Sequence, residues 1–181
     1  MKKIDRRSFI QSSVAGVAGL TFLGAGLPVY EAPVLSKSAV IDQVKLGKTG
    51  LKVSRVAFGT GTNGGNQSSN FTRMGKENFI KIARHAWEKG IHFFDTADSY
   101  GSHTFAREVL KELPREKVTL LSKMWTTDTR WQKAGNVPET LDRFRLETGS
   151  DYFDIVLMHC LMNGNWKEEK KVFMEGLSKA K

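Results

Sequence analysis

Residues 91–101 read IHFFDTADSYG, and this stretch decides which fold the sequence predicts. Ile91 and Phe93 occupy alternate positions of an apolar run, and Asp95 follows in the same alternation. Because successive side chains of a β-strand point to opposite faces, these three side chains share one face of a predicted strand. Asp95 therefore ends a strand, and Tyr100 lies in the following loop, from which it can fold back over that end.

The next two predicted strands repeat this placement. Lys123 shares its strand face with Leu121, and His159 shares its face with Ile155 and Leu157. Taken singly, each polar residue has an ordinary structural explanation, such as a turn cap, a solvated lysine or a structural histidine. Three successive strands that end in this way predict a shared site at their carboxyl ends.

Amphipathic segments separate the predicted strands. Helical stretches with apolar side chains every three to four residues are KENFIKIARHAWEKG, TFAREVLKELP, PETLDRFRLETG and KEEKKVFMEGLSKAK. The strands are VSRVAFG, which follows a hairpin turning at residues 47–50, and then IHFFDTAD, VTLLSKM and DYFDIVLMHC. The order β-α-β-α-β-α-β-α predicts an α/β fold with a parallel sheet, either doubly wound or closed. The polar strand ends favour the (β/α)8 TIM-barrel type, whose active sites form at the carboxyl ends of the strands.

A glycine-rich stretch, FGTGTNGG at residues 58–65, has the spacing G-x-G-x-x-G of a Rossmann dinucleotide site. In that site the glycines open a helix directly, because the N-terminal N–H groups of the helix hold the pyrophosphate. Here the polar loop NQSSNFTRMG follows, and the first helical period begins near Lys76. We therefore do not interpret the stretch as a Rossmann turn.

The N-terminus is typical of an export signal. Four basic residues, Lys2, Lys3, Arg6 and Arg7, precede the mildly apolar segment SSVAGVAGLTFLGAGLPV. The order RRSFI resembles the twin-arginine signal, which predicts export to the bacterial periplasm. An ordinary secretory signal and an uncleaved membrane anchor are the alternatives. We expect a signal peptide and linker at residues 1–38 and a folded domain at residues 39–181.

Charge and cysteine content exclude several classes of function. The net charge of +9 is spread over mixed Lys/Glu faces, without the interleaved aromatic and basic residues of a nucleic-acid groove. The one cysteine, Cys160, permits no intrachain disulfide, and the sparse His and Cys residues predict no metal site. We expect contact with a membrane only through the export signal.

Four stretches in order, LGKTGLKVSRVAFGTGT, GIHFFDTADSYG, LLSKMW and DYFDIVLMH, resemble the successive signatures of the aldo-keto reductase family. The resemblance runs from about Val44 to the last residue and implies a (β/α)8 barrel. It places the family's catalytic tetrad on Asp95, Tyr100, Lys123 and His159. It also implies NADPH or NADH as cofactor, with Gly59, Thr60 and Asp95 close to the nicotinamide, and a small-molecule carbonyl substrate.

Carbonyl reduction suits these residue types. Hydride delivered to a carbonyl carbon leaves charge on the oxygen, so the site needs a proton donor and a polar environment there. Tyr100 is the expected acid, and the Lys123 ammonium would stabilise the tyrosinate that forms. Asp95 would hold Lys123, and His159 would orient the carbonyl oxygen.

Length sets a further expectation. Removal of an N-terminal signal leaves about 140 residues, whereas a closed barrel takes about 250. We therefore expect the first four or so βα units of a barrel, a fragment whose C-terminal half is missing and which is inactive alone. Two alternatives stay open: a non-catalytic module that senses a cofactor or binds a partner, and a half-barrel that dimerises.

Overall fold

A four-stranded parallel sheet is the centre of the fold in the computed structural model, which describes residues 41–127, 136–162 and 164–181. Six strands are present in the described residues: β1 (Gln43–Lys45), β2 (Lys52–Ser54), β3 (Ala57–Gly59), β4 (Phe93–Asp95), β5 (Thr119–Trp125) and β6 (Ile155–His159). β1 and β2 form the predicted antiparallel hairpin, and the other four pair in the order β3-β4-β5-β6. Sequential order with parallel pairing confirms the predicted α/β fold.

Helices connect the parallel strands. Their bounds are α1 (Asn70–Arg73), α2 (Lys76–Glu88), α3 (His103–Leu110), α4 (Val137–Thr148), α5 (Trp166–Glu169) and α6 (Lys171–Lys179). Single turns of 3-10 helix lie at Asp98–Tyr100 and Arg115–Lys117. The described residues thus contain the four βα units that the sequence predicts.

Local signals explain where the helices begin and end. Ser69 caps α1 by accepting a hydrogen bond from the N–H of Thr72, whose side chain accepts one from the Ser69 N–H in return. The Asn136 side chain caps α4 by accepting from the N–H of Glu139, and Gly149 ends that helix in the left-handed conformation, at φ 63°.

Three details differ from the sequence prediction. The polar loop after the glycine-rich stretch contains the short helix α1, which its capping box stabilises. Helix α3 ends at Leu110, before the Pro114 that we expect to stop it. The terminal helical stretch is two helices, because the chain leaves helical geometry at Lys170, at φ −108° and ψ 15°.

The core lies between the sheet and the helices. Phe58, Phe94 and Leu120 from the strands pack against Phe79 and Val109 from α2 and α3. A second cluster under α4 and α6 consists of Met124, Val137, Leu141, Phe144 and Phe173. Burial of each large apolar side chain contributes about 1.5–3 kcal/mol to the free energy of unfolding, so the face of the sheet that packs on the helices stabilises the fold.

The other face of the sheet carries the polar strand ends. Register aligns Gly59 with Asp95, Asp95 with Leu121, and Leu121 with Ile155. Side chains in one row of a parallel sheet share a face, and Lys123 and His159 lie two and four positions further along that face. This confirms the predicted side-chain parity and places the polar groups at the carboxyl ends of the strands.

The predicted signal peptide, the linker and the domain boundary near residue 38 lie outside the described residues. In residues 41–127, 136–162 and 164–181, no helix is long and apolar enough to cross a membrane.

Candidate active site

Asp95 and Lys123 form an ion pair between neighbouring strands. The Nζ of Lys123 donates to Oδ1 of Asp95 and, at 3.1 Å, to the backbone carbonyl of Thr96. The Lys123 side chain is 15% exposed and the Asp95 side chain 34% exposed, so solvent screens this pair only partly. The two side chains meet because the parallel register pairs Asp95 with Leu121, and Lys123 lies two residues after Leu121 on the same face of the sheet.

Tyr100 reaches this pair from the 3-10 turn at Asp98–Tyr100. Gly101 ends the turn in the left-handed conformation, at φ 64°, which reverses the chain after the tyrosine. The Nζ of Lys123 lies 4.9 Å from the centre of the Tyr100 ring. This distance is within the range of a cation–π contact, so the ammonium group and the phenol ring lie together.

His159 ends β6 and meets Tyr100 edge to face, with ring centroids 5.4 Å apart. Its Nε2 lies 3.4 Å from the Tyr100 hydroxyl, and its Nδ1 lies 3.4 Å from Oγ of Ser99. Burial lowers the pKa of the imidazole below its ordinary value, the Lys123 charge lowers it further, and Asp95 opposes the shift. His159 is therefore neutral at pH 7 and can donate one hydrogen bond while it accepts another.

All four predicted catalytic residues thus lie together at the carboxyl edge of the sheet. The arrangement places a phenol between an ammonium group and a neutral imidazole. The roles assigned to these residues stay predictions, because they depend on a reaction.

The three predicted cofactor-contacting residues differ in how accessible they are. A side chain at Gly59 would meet no atom of the described residues within 4 Å, so space is open beside its row partner Asp95. Thr60 is 1% exposed, and its hydroxyl donates to the backbone carbonyl of Asp95 at 2.9 Å. The backbone N–H of Thr60 also donates to the Asp95 carbonyl, at 3.0 Å, so both donors of Thr60 fix the loop against β4.

Trp125 and Ser99 also contact this site, and neither was predicted as a site residue from the sequence. Trp125 meets the His159 ring edge to face, with ring centroids 5.1 Å apart, and so adds an aromatic wall to the site. It has the same parity as Lys123, two positions on, so the alternation that found Lys123 also marks it. Ser99 carries no comparable signal, since its contact with His159 depends on the geometry of the turn.

A buried polar network supports the turn that carries Tyr100. Arg143 on α4 binds Oδ1 of Asp98 at 2.9 Å and Oε1 of Glu147 at 2.8 Å. Burial raises the pKa of the Asp98 carboxyl above its usual range, by more than Arg143 lowers it. Glu147 also binds Nδ1 of His103 at 2.7 Å, and the other ring nitrogen lies 2.8 Å from Oγ of Ser122.

This Ser-His-Glu sequence of contacts has the order of a hydrolytic triad. Ser122 is fully buried and faces the helices rather than the polar edge of the sheet. Its hydroxyl therefore cannot reach a substrate, and the network joins the turn to α3, α4 and β5 as a structural unit.

Comparison with known proteins assigns the family. The sequence model of the aldo/keto reductase family matches residues 55–179, which include every strand of the parallel sheet and all four clustered polar residues. The chain belongs to the aldo/keto reductase family.

Relatives in sequence include "Probable aldo-keto reductase 1" of Glycine max, 33% identical over 132 residues, which are 67% of this chain and 37% of that protein. L-galactose dehydrogenase of Arabidopsis thaliana is 30% identical over 151 residues, which are 78% of this chain and 45% of that protein. The chain thus spans less than half the length of these curated relatives.

Solved aldo-keto reductases share the fold. The thermostable enzyme Tm1743, crystallised with the inhibitor epalrestat, has a TM-score of 0.60 at 24% identity over 77% of this chain and 51% of its own. The Klebsiella pneumoniae aldo-keto reductase in complex with NADPH has a TM-score of 0.55 at 19% identity over 77% of this chain and 46% of its own. The parallel sheet and its helices therefore resemble part of an aldo-keto reductase TIM barrel.

Proposed function

We propose that this chain carries the catalytic residues of an NAD(P)H-dependent carbonyl reductase, which transfers a hydride to an aldehyde or ketone. The observation that supports the proposal most is the cluster of Asp95, Lys123, Tyr100 and His159 at one edge of the sheet. Membership of the aldo/keto reductase family supports carbonyl reduction as the reaction of this cluster.

Tyr100 is the proton donor in this proposal. Its hydroxyl would give a proton to the carbonyl oxygen as charge develops there, and Lys123 would stabilise the phenolate left behind. Asp95 holds Lys123 in place through their ion pair. His159, neutral at pH 7, would donate a hydrogen bond that orients the carbonyl oxygen.

A nicotinamide cofactor fits the same edge. The space beside Gly59 has no side chain to fill it, and Asp95 lies in the adjacent strand at the same level. Gly59, the backbone carbonyl of Thr60 and Asp95 would therefore contact the nicotinamide end, which supplies the hydride when bound. The similar fold of the Klebsiella pneumoniae protein, solved with NADPH, supports this choice of cofactor.

The proposal assigns activity to a completed barrel. The described residues hold four parallel strands, whereas a TIM barrel closes with eight. On the site face, Leu157 of β6 is 43% exposed, as expected where further strands cover an inner face. We propose that a C-terminal half supplies those strands and the phosphate-binding loops, which such barrels commonly build after strands seven and eight.

The N-terminal segment supports a second proposal, on location. The paired Arg6 and Arg7, followed by Phe9 and Ile10, suit a twin-arginine signal that delivers the protein to the periplasm.

The function is tested by joining the chain to the C-terminal half of a family member and supplying NADPH or NADH with a panel of aldehydes and ketones. We expect cofactor oxidation that depends on the carbonyl compound. Saturable cofactor binding without oxidation by any of the carbonyl compounds would instead favour the non-catalytic module.

A further inference from the structure

The glycine-rich loop between β3 and α1 lies directly on the turn that carries Tyr100. The N–H of Gln67 donates to the carbonyl of Ser99 at 2.8 Å. Gly101 packs so closely on the Gln67 carbonyl that a Cβ at position 101 would overlap it. The loop thus packs directly against the turn.

A second contact fixes the start of the same loop. Thr60 Oγ1 donates to the Asp95 carbonyl, so the 2.9 Å contact with Ser102 must have the Ser102 hydroxyl as its donor. Both hydroxyls are buried, Ser102 completely and Thr60 to 1% exposure. The loop is therefore bonded on both sides of Tyr100 in the sequence, at Ser99 and at Ser102.

Between the attachments at Ser99 and Ser102, the Tyr100 ring packs against Gly61 and Gly64 of the loop. A Cβ at Gly61 would overlap Cε2 and Cζ of the ring and would lie 2.8 Å from Cε1. A Cβ at Gly64 would lie 2.7 Å from Cδ1 and 3.2 Å from Cε1. Packed carbon atoms are normally about 3.5–4.0 Å apart, so neither position has room for a side chain.

Backbone geometry does not explain these two glycines. Neither Gly61 nor Gly64 has a positive φ, so an alanine could adopt the backbone conformation of either residue. At Gly61 the three nearest atoms to an added Cβ all belong to the ring, and one of them is Cζ, the atom that carries the hydroxyl. At Gly64 an added Cβ would meet the ring and would also lie 2.8 Å from the backbone oxygen of Gly61.

We propose that Gly61 and Gly64 are positioning residues that form a cradle for the Tyr100 ring. The cradle holds the ring between Lys123 Nζ, 4.9 Å from its centre, and His159, whose Nε2 is 3.4 Å from the hydroxyl. This inference rests on the proposed function, because the hydroxyl needs aiming only if Tyr100 delivers a proton. Misplacement of a reacting group by about 1 Å can cost a factor of about 10² in rate.

The first test needs no turnover and uses the full chain with ring-labelled tyrosine. The chain has three tyrosines, and the spectrum of Tyr100→Phe assigns the Tyr100 signals, with Tyr152 as an internal reference for the fold. In Gly61→Ala we expect the Tyr100 signals to shift and the ring-to-ring NOE with His159 to weaken. The matched control is Gly65→Ala, in the same loop, where a Cβ would meet nothing within 4 Å and φ is not positive.

A mutant cycle keeps the test decisive if Gly61→Ala folds poorly. With the ring removed by Tyr100→Ala, Gly61→Ala should no longer lower the denaturant midpoint, because its added methyl group fills vacated space. Gly64→Ala is left out of this cycle, because its Cβ would also lie 2.8 Å from the Gly61 carbonyl oxygen, which remains when the ring is removed. A loss of midpoint that is unchanged by removing the ring would mean that the glycine serves the backbone, and would overturn the cradle.

The completed barrel provides the kinetic readout. Gly61→Ala should lower kcat by a factor on the order of 10 to 10², with cofactor affinity within about twofold, whereas Gly65→Ala should match the parent. Unchanged kcat in an active barrel, or an unmoved Tyr100 ring in the labelled chain, would contradict the positioning role. The two proposals can fail separately. If the completed barrel has no reductase activity but Gly61→Ala still displaces the Tyr100 ring, the proposed function is overturned and the contact between Gly61 and the ring is confirmed.

Discussion

The charge of Lys123 acts on two aromatic side chains, because its ammonium lies beside the Tyr100 ring and close to His159. For the histidine this charge opposes uptake of a proton, in addition to the effect of burial. In the proposed mechanism the same charge would stabilise the phenolate that Tyr100 leaves as it gives up its proton.

Titration of the His159 imidazole by NMR measures this effect. We expect a midpoint below the ordinary value of about 6.5. Lys123→Met should raise the His159 pKa, because a like charge is removed, and Asp95→Asn should lower it, because an attractive charge is removed. The signal is assigned with His159→Gln.

The lowered pKa of His159 also makes the stability of the fold depend on pH. Above the unfolded-state pKa of about 6.5 its contribution to the free energy of unfolding is fully present. That contribution is lost as the pH falls from this value through the lower folded-state pKa, because the unfolded chain binds the proton more readily. A His159 midpoint above 6.5 in the parent chain, or shifts of the same sign in both variants, would contradict this electrostatic account.

Residue by residue, the sequence predicts the site where strand alternation applies. Asp95, Lys123 and His159 follow from parity, Tyr100 follows from its place in the loop after Asp95, and the resemblance assigns their roles. The contact of Tyr100 with Gly61 and the network around Asp98 depend on how a loop and a turn pack, which no period in the sequence records. The family motif places Thr60 beside the nicotinamide, but it does not indicate that the Thr60 hydroxyl is already bonded to the Asp95 carbonyl.

At the scale of elements, α6 packs on α4 through a glycine. A Cβ at Gly176 would lie 2.6 Å from Cγ2 and 2.7 Å from Cβ of Val137, the buried first residue of α4. Valine is stiff at χ1, so it cannot rotate away without strain. Close approach of the two helices therefore requires the glycine.

Gly176→Ala should destabilise the chain by about 1 kcal/mol, measured as the free energy of unfolding in urea. Overpacking costs about 1–3 kcal/mol, and the better helix propensity of alanine offsets about 1 kcal/mol of that. In a Val137→Ala background the cost should shrink without vanishing, since both Cγ atoms are gone while the Cβ at 2.7 Å remains. An equal cost in both backgrounds would show that the contact does not limit the packing.

Element types were predictable, whereas their ends were less so. Continuous apolar runs identified all four parallel strands. The hydrogen-bonded strands are mostly shorter than those runs, because a residue joins the sheet only where a neighbouring strand lies beside it. The one-turn helix α1 depends on its capping box, and the break between α5 and α6 is a change of backbone conformation at Lys170. The helical period of the sequence predicts neither feature.

For the whole molecule, the N-terminal segment makes a separate prediction. Residues 1–40 fused to a reporter that folds in the cytoplasm should carry that reporter across the bacterial inner membrane. Arg6→Lys together with Arg7→Lys should stop export, because the twin-arginine route reads the arginine pair. Export of the double variant at the parent level would refute this assignment and favour an ordinary secretory signal.

The central claim is that Tyr100 gives the proton in carbonyl reduction, and one substitution in the completed barrel tests it most directly. Tyr100→Phe keeps the ring in its place against Gly61 and Gly64 and removes only the hydroxyl. We expect the single-turnover rate of carbonyl reduction to fall by a factor on the order of 10² or more, while cofactor affinity stays nearly unchanged. Reduction of the best substrate at close to the parent rate would show that Tyr100 is not the acid.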